Sequence, residues 1–281
     1  MDEIRTFAED LGEVDVSAYL DAGEGQFHTQ NDPNAPWQRD NIIERKGRVD
    51  VRCEHKDIVH GYFSDAVDDA CTLIVLVFRF DPNGLGRRIK EAAVTMVFSA
   101  MAGDDDHPEV LAMHPDGNFA IVPTTQHETR TKGGGVTIGG GVAGLSLGAH
   151  LTLERTIECD TTDAARVRGS IDLRNRNWGR KNSVSWTLWE NRTAKTGVLP
   201  AMTAAILLRR SDMRPFKAAV TVKVVADTWT ALSSAFASEP QDDDVWYDPG
   251  KKPASTDRLR KYDADNLGVL DLAEIAGGLV C

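Results

Sequence analysis

A glycine-rich stretch without charge, from Gly133 to Leu153, is the feature that most limits how this chain can fold. Its sequence, GGGVTIGGGVAGLSLGAHLTL, contains no Asp, Glu, Lys or Arg, although 27% of the whole chain is charged. The stretch is about as long as a membrane-spanning helix, but glycine is a poor helix former and fills too much of it. We therefore expect β-structure here.

Apolar residues alternate with small or polar residues through this stretch, which is the pattern of a β-strand. The alternation changes phase between Val142 and Leu145. Because a shift of one residue moves every later side chain to the other face, the phase change predicts a turn or a bulge at Ala143-Gly144. The segment is thus predicted as a hairpin or as one long bulged strand.

Two functions are open to a hairpin of this composition. It can be a half-buried part of a soluble fold, in which the glycines allow close approach of a neighbouring layer or ligand. It can also be a strand pair that extends into a membrane, because transmembrane strands alternate in the same way. In that case the face made of Gly, Thr, Ser and His would line a polar lumen.

The length and the net charge of the chain restrict its fold, its partners and its location. A chain of 281 residues can bury a large core. Its net charge of −11 argues against nucleic-acid partners and against constitutive attachment to an anionic membrane, which both require a basic surface. The acidic N-terminus has no basic segment followed by an apolar one, so no signal peptide is expected and a cytoplasmic location is predicted. The oligomeric state is left open.

Short runs of alternating apolar residues separated by turn signals extend from residue 47 to residue 226. Roughly nine to eleven strands with almost no helix predict a mainly β fold, an antiparallel β-sandwich or a flattened barrel. The continuous apolar run Leu73 to Phe78 suits a strand covered on both faces. The turn Pro115 to Asn118 predicts a hairpin between its flanking strands.

The segments on either side of this β domain have a different character. Residues 1–46 predict a short N-terminal helix and an extended arm, and residues 227–281 predict a C-terminal helix and a strap packed on the domain. The acidic run Asp242 to Asp244 is expected in a solvated loop.

No strong catalytic or cofactor motif is present. The sequence lacks the signatures of serine hydrolases, zinc proteases, phosphate-binding loops and dinucleotide-binding folds. Its four cysteines show no CxxC and no close pairing with histidine. We therefore expect no cofactor and no metal.

The segment WTLWEN, from Trp186 to Asn191, is the best candidate for a binding or active site. Alternation directs Trp186 and Trp189 to opposite faces, so one can enter the core while the other lines a cavity. Glu190 is a candidate acid or base; the simpler alternative is an ion pair with Arg174, Arg176 or Arg180. The predicted catalytic residues are Glu190 and His150, and the predicted substrate-binding residues are Trp178, Trp186 and Trp189.

Three segments together resemble a family of uncharacterised β-rich proteins of filamentous fungi. They are DPNGLGRRIK from Asp81 to Lys90, SWTLWENRTAKTG from Ser185 to Gly197, and YDADNLG from Tyr262 to Gly268. The resemblance spans residue 47 to the C-terminus and implies a fungal source. It implies no activity.

Two hypotheses about function follow. The first is a cofactor-independent protein that binds an apolar small molecule in a cavity between the sheets, as a biosynthetic cyclase or isomerase of secondary metabolism would, by holding its substrate in a reactive conformation. The second is a non-enzymatic protein that self-assembles or forms pores in membranes through the hairpin 133–153.

Overall fold

Alternating burial along long strands determines the architecture of this protein. The computed structural model describes residues 29–47, 49–65, 67–83, 87–101, 106–136, 151–226, 242–251 and 262–277; for residues 67–68, 122–136 and 151–162 it describes the backbone alone. This part of the chain forms eleven strands, a 3-10 turn (Leu267–Val269) and one short helix, α1 (Leu272–Ala276). The strands are β1 (Asn41–Arg45), β2 (Val49–Ser64), β3 (Val67–Pro82), β4 (Ile89–Ala100), β5 (Glu109–His114), β6 (Gly117–Val136), β7 (Leu151–Asp172), β8 (Ser183–Trp189), β9 (Ala201–Arg210), β10 (Phe216–Ala226) and β11 (Val245–Tyr247).

The strands form two antiparallel sheets that pack against each other. One sheet has the order β1-β2-β3-β9-β5, and the other has the order β11-β10-β4-β8-β7-β6. The sheets do not close into a barrel. The predicted mainly β fold is therefore confirmed as a sandwich rather than a flattened barrel.

The core lies between the two sheets. On β4, every second residue from Ala92 to Phe98 is at most 1% exposed, and the residues between them are half-buried. The same alternation on β8 buries Val184, Trp186 and Leu188. This period-two pattern is what a sheet with one covered face requires.

Strand β3 is covered on both of its faces. Ile74, Leu76 and Phe78 face the core between the sheets. Leu73 and Val75 belong to a second apolar cluster on the opposite face, which the C-terminal residues cover. This double burial explains why Leu73 to Phe78 is a continuous apolar run, as the sequence predicted.

Residues 262–277, here called the C-terminal strap, cover that outer face. Leu267, Leu272 and Ile275 are buried there. The Ala264 carbonyl accepts a 2.7 Å hydrogen bond from the Tyr62 amide of β2. A side chain at Gly61 would collide with this carbonyl, because a Cβ there would lie 1.9 Å from the oxygen. The glycine therefore permits the close docking of the strap.

The acidic run Asp242 to Asp244 is not a solvated loop. Asp242 accepts a hydrogen bond from the Thr29 amide and pairs with Arg45 at 2.9 Å. Asp244 pairs with Lys217 at 2.7 Å. The run thus fastens the segment before β1 to the six-stranded sheet, and β1 and β11 extend the sheets beyond the predicted range 47–226.

Strands β6 and β7 form a long hairpin that extends past the rest of their sheet. Their pairing is continuous in register from Thr124 opposite Asp163 to Val136 opposite Leu151. Strand β8 pairs with β7 only as far as Arg166. Residues 124–136 and 151–163, here called the ribbon, consequently pair only with each other within the described chain. At about 3.3 Å per residue the ribbon is roughly 40 Å long.

The ribbon favours the hairpin alternative over a single bulged strand for the two ends of the glycine-rich stretch. The turn predicted at Ala143-Gly144 lies outside the described residues. A register shift between Ile121 and Thr124 marks a bulge at the base of the ribbon. Pro123 lies in this bulge, where its missing N–H interrupts no ladder hydrogen bond.

Two further expectations from the sequence are wrong, namely that the strands are short and that the turn Pro115 to Asn118 closes a hairpin. Several strands are long, with 16 residues in β2 and in β3, because they extend through charged and polar positions that the apolar pattern does not mark. The turn Pro115 to Asn118 does not close a hairpin, since β5 pairs with β9 while β6 pairs with β7. At this turn the chain crosses from one sheet to the other.

The apolar spacing places the predicted N-terminal helix within residues 2–20 and predicts a further short helix around Trp229; both lie outside the described residues. Among the helices in the described part, none has the length and apolar character needed to cross a membrane.

Candidate functional site

A surface pocket lies at the base of the ribbon, on the outer side of the six-stranded sheet. Its volume is about 770 Å³. It is lined by β6, β7, the end of β8 and the loop that follows β8, through Asn118, Phe119, Ala120, Asp163, Ala164, Arg166, Arg168, Trp189, Glu190 and Arg192.

Strand pairing brings the lining residues together. Arg166 on β7 is paired with Ala120 on one side and with Trp189 on the other. Arg168 follows two positions later, and the intervening Val167 is buried in the core. Residues two apart on a strand share a face and lie roughly 7 Å apart. The small side chain of Ala120 leaves open space between these larger groups.

The loop after β8 is fixed by Asp163 at the start of the sheet-bound part of β7. The Asp163 carboxylate accepts hydrogen bonds from the Thr193 amide at 3.0 Å and from its hydroxyl at 3.2 Å. The Asn191 side chain donates to the Asp163 carbonyl at 3.2 Å and accepts from the Ala194 amide at 2.8 Å. The hydrogen bond from Thr193 lowers the pKa of Asp163. These contacts hold Arg192 at the rim of the pocket.

Glu190 is buried at the floor of this region and is ion-paired. Its carboxylate lies 3.0 Å from Nε of Arg88 and accepts a 3.3 Å hydrogen bond from the Gly197 amide. Glu190 therefore forms an ion pair with an arginine, as the simpler alternative from the sequence predicted. The arginine is Arg88 and not one of the three that were named. The reason is register: Trp189 pairs with Glu91 on β4, so the residues just before β4 lie beside the end of β8.

The three arginines named from the sequence lie near the other end of β8, because the loop that carries them precedes this strand. Arg180 pairs there with Glu109 at 3.1 Å.

The structure brings together two of the five predicted site residues, Trp189 and Glu190. Trp186 is completely buried; its indole nitrogen donates to the Pro115 carbonyl at 3.1 Å, and its ring lies 5.6 Å from that of Phe78. Trp178 is 83% exposed in the loop between β7 and β8, at the opposite end of β8 from Trp189. His150 lies outside the described residues. The assigned roles of these residues stay predictions.

Sequence reasoning missed Asp163 and the arginines of the pocket lining, Arg166, Arg168 and Arg192. Alternation in the segment ARVRG does indicate that Arg166 and Arg168 share an exposed face. No local signal connects Asp163 with the loop 191–194, because the contact joins positions 30 residues apart.

A buried histidine lies outside the pocket, on β2. The Nδ1 atom of His55 is 2.7 Å from the Arg39 carbonyl, and its Nε2 atom is 2.8 Å from the Tyr247 hydroxyl. Burial lowers the pKa of His55 to about 4. The ring is therefore neutral near pH 7 and joins β2 to β11. Among the described residues, no cluster of three His, Cys, Asp or Glu side chains is placed to hold a metal ion.

Comparisons with known proteins give little information about this chain. No family model matches it, and no curated protein matches it. Among solved structures, one match is the Clostridium perfringens NetB toxin in the membrane-inserted form, which is 7% identical and covers 70% of this chain and 87% of the toxin chain. The TM-score is 0.27, so this similarity is not evidence of a shared fold or function.

Proposed function

We propose that this protein acts on membranes by inserting the hairpin at the end of the ribbon. The observation that carries the proposal is the pairing of Val136 with Leu151 at the far end of a two-stranded ribbon, beyond all other strands of the sheet. These two residues flank the charge-free sequence 137–150. The sandwich thus presents the two ends of the least charged segment of the chain together and away from its core.

Each half of the charge-free stretch has the length of a transmembrane strand. A transmembrane strand needs about 9–11 residues. Gly133 to Val142 supplies ten residues and Leu145 to Leu153 supplies nine, and neither half contains a charged residue. In the proposed inserted form, these two halves are the membrane-crossing strands.

The register also accounts for the change of phase in the sequence. Val136 is even-numbered and its partner Leu151 is odd-numbered. Directly paired residues share a face of a hairpin. In the inserted hairpin proposed here, the same register assigns the apolar residues of both halves to one face, toward lipid. These are Val136, Ile138, Val142, Leu145, Leu147, Leu151 and Leu153.

Several copies are required for this activity. A lone two-stranded hairpin leaves unpaired backbone groups at both edges, and no water is present in the bilayer core to satisfy them. Closure of hairpins from several copies into a barrel removes these edges. The net charge of −11 fits a protein that does not bind anionic membranes constitutively.

Leakage of dye from liposomes tests this proposal. Leu147→Asp places a charge on the proposed lipid face and should abolish leakage. Ser146→Asp, the matched control, places the same charge on the proposed lumen face and should leave most of the leakage. Equal leakage from Leu147→Asp and the unchanged protein would end the proposal.

A second candidate function is the binding of a small molecule in the pocket at the base of the ribbon. The observation that favours it is the meeting of Trp189 and Glu190 in one pocket of about 770 Å³. In this proposal the pocket holds a substrate for a cofactor-independent cyclisation or isomerisation. The predicted apolar ligand has Trp189 as its main apolar contact.

Native mass spectrometry after incubation with an extract of the source organism tests the second candidate. A retained small molecule that is lost in Trp189→Ala, while the variant stays folded, supports it. Retention that does not depend on Trp189 contradicts the assignment. The fungal source and the cytoplasmic location stay predictions, and fractionation of the source cells tests the location.

A further inference from the structure

The pocket at the base of the ribbon is cationic in a strongly acidic protein. Its lining contains three arginines, Arg166, Arg168 and Arg192, and two acids, Asp163 and Glu190. The whole chain has a net charge of −11. A local excess of positive charge on such a surface concentrates anions and repels cations.

The two acids of the pocket are already engaged. Glu190 is neutralised by Arg88 at 3.0 Å. The Asp163 carboxylate accepts hydrogen bonds from the amide of Ala164 and from the amide and hydroxyl of Thr193. Neither acid forms an ion pair with an arginine of the lining within the described residues, so the positive charges of the pocket are left for a ligand.

The side chains of the three arginines have no protein partner among the described residues. In the described part of the chain, no hydrogen bond or ion pair joins the guanidinium group of Arg166, Arg168 or Arg192 to another residue. By contrast, the guanidinium group of Arg209 on β9 is paired with Glu109 at 2.6 Å. Guanidinium groups bind the oxygens of phosphate through two parallel hydrogen bonds, which makes arginine a preferred ligand for this group.

Trp189 forms an aromatic wall beside these cations. It is half-buried and lies opposite Arg166 in the strand ladder. A ligand whose phosphate contacts the arginines therefore has its organic part next to an indole ring, where aromatic or apolar groups pack favourably.

We propose that this pocket binds a phosphate monoester, with the phosphate on Arg166, Arg168 and Arg192 and the organic group against Trp189. This inference concerns the same pocket as the second candidate function and replaces its apolar ligand with an anionic one. It does not depend on insertion of the hairpin. The phosphate can belong to a soluble ester or to a lipid headgroup.

Calorimetric titration with phenyl phosphate and with inorganic phosphate tests the inference. Phenyl phosphate should bind more tightly than inorganic phosphate, because only phenyl phosphate uses Trp189. Arg168→Gln should weaken both ligands by about tenfold to a hundredfold, the effect of losing one charge-assisted contact. Trp189→Ala should lower the affinity for phenyl phosphate to that for inorganic phosphate and leave the latter unchanged.

Arg79→Gln is the matched control, since Arg79 is an exposed arginine on β3 of the other sheet. It should change neither affinity. An equal loss in Arg79→Gln and Arg168→Gln would show that only the net charge matters and would overturn the site. Absence of phosphate binding, together with retention of another molecule that depends on Trp189, would overturn the inference while the second candidate function stands.

Vesicles distinguish the two sources of phosphate. Phosphatidylcholine vesicles with and without phosphatidic acid are compared in a flotation assay that includes Arg168→Gln. Binding that requires both phosphatidic acid and Arg168 assigns the site to a lipid headgroup. Tight binding of phenyl phosphate without flotation assigns it to a soluble ester, and either result supports the inference.

Discussion

The close docking of the C-terminal strap on β2 predicts that Gly61→Ala destabilises the protein. In Gly61→Ala the new Cβ would lie 1.9 Å from the Ala264 carbonyl oxygen. Carbon and oxygen atoms come no closer than about 3.3 Å even in weak hydrogen bonds, so the strap must retreat by about 1.4 Å. This movement breaks the 2.7 Å hydrogen bond from the Tyr62 amide to that carbonyl.

The loss of unfolding free energy in Gly61→Ala has a lower and an upper bound. Leaving the Tyr62 amide without a partner costs about 1–3 kcal/mol. Complete release of the strap exposes Leu267, Leu272 and Ile275, at about 1.5–3 kcal/mol each, so the loss is at most roughly 5–9 kcal/mol. Because the strap needs to shift by little more than an ångström, we expect a loss of about 2–4 kcal/mol in the free energy of unfolding.

Urea unfolding measures this loss, and hydrogen exchange at the Tyr62 amide locates it. Gly250→Ala is the matched control, because its Cβ meets a single side-chain atom, Oδ1 of Asp248, at 3.2 Å and no backbone atom. Both variants remove the same glycine flexibility from the unfolded chain. If Gly61→Ala matches the unchanged protein in stability and in exchange at Tyr62, the described docking of the strap is wrong.

Three further predictions concern the core and the site. Gly169→Ala should cost about 1–3 kcal/mol and change tryptophan fluorescence, because its Cβ would lie 2.0 Å from the carbonyl that accepts the Trp186 hydrogen bond. Glu190→Ala should cost about 2 kcal/mol in urea unfolding, since it leaves the guanidinium of Arg88 unpaired, and most of this loss should vanish in an Arg88→Met background. Burial lowers the pKa of His55 from 6.5 to about 4, so between these values His55 is protonated only in the unfolded chain; its contribution to the unfolding free energy should therefore fall by up to about 3 kcal/mol from pH 6.5 to pH 4, and a pH series on His55→Gln should be flatter by that amount.

Most strands could be predicted from the sequence, because the apolar residues that alternate along the chain are the ones that this sandwich buries. The continuous run Leu73 to Phe78 correctly predicts a strand covered on both faces. The full lengths of β2 and β3 were not predicted, because polar and charged residues such as Glu54, Lys56 and Arg79 interrupt the apolar pattern of strands that continue past it. Likewise, the Pro-Asp-Gly turn at residue 115 predicts a reversal of the chain but not which sheet the next strand joins.

The candidate site could be predicted only in part, because some of its contacts are local and others depend on how the strands pair. Alternation correctly directs Trp186 and Trp189 to opposite faces, since it depends on local geometry alone, but only the structure shows that Trp186 is the one in the core. The partner of Glu190 was not predictable, because Arg88 reaches it through the register between β4 and β8. The cationic pocket depends on three strands and a loop whose adjacency exists only in the folded protein.

Dye leakage from liposomes with paired arginine substitutions at neighbouring positions tests the membrane function most directly. Ile138→Arg places a charge on the proposed lipid face near the middle of the bilayer, which costs about 2–4 kcal/mol per copy in a transmembrane barrel. Thr137→Arg places the same charge at the same depth on the proposed lumen face, where no such cost arises. With both variants as stable as the unchanged protein in urea, we expect Ile138→Arg to abolish leakage and Thr137→Arg to retain it; equal leakage from the two variants would refute insertion of this hairpin.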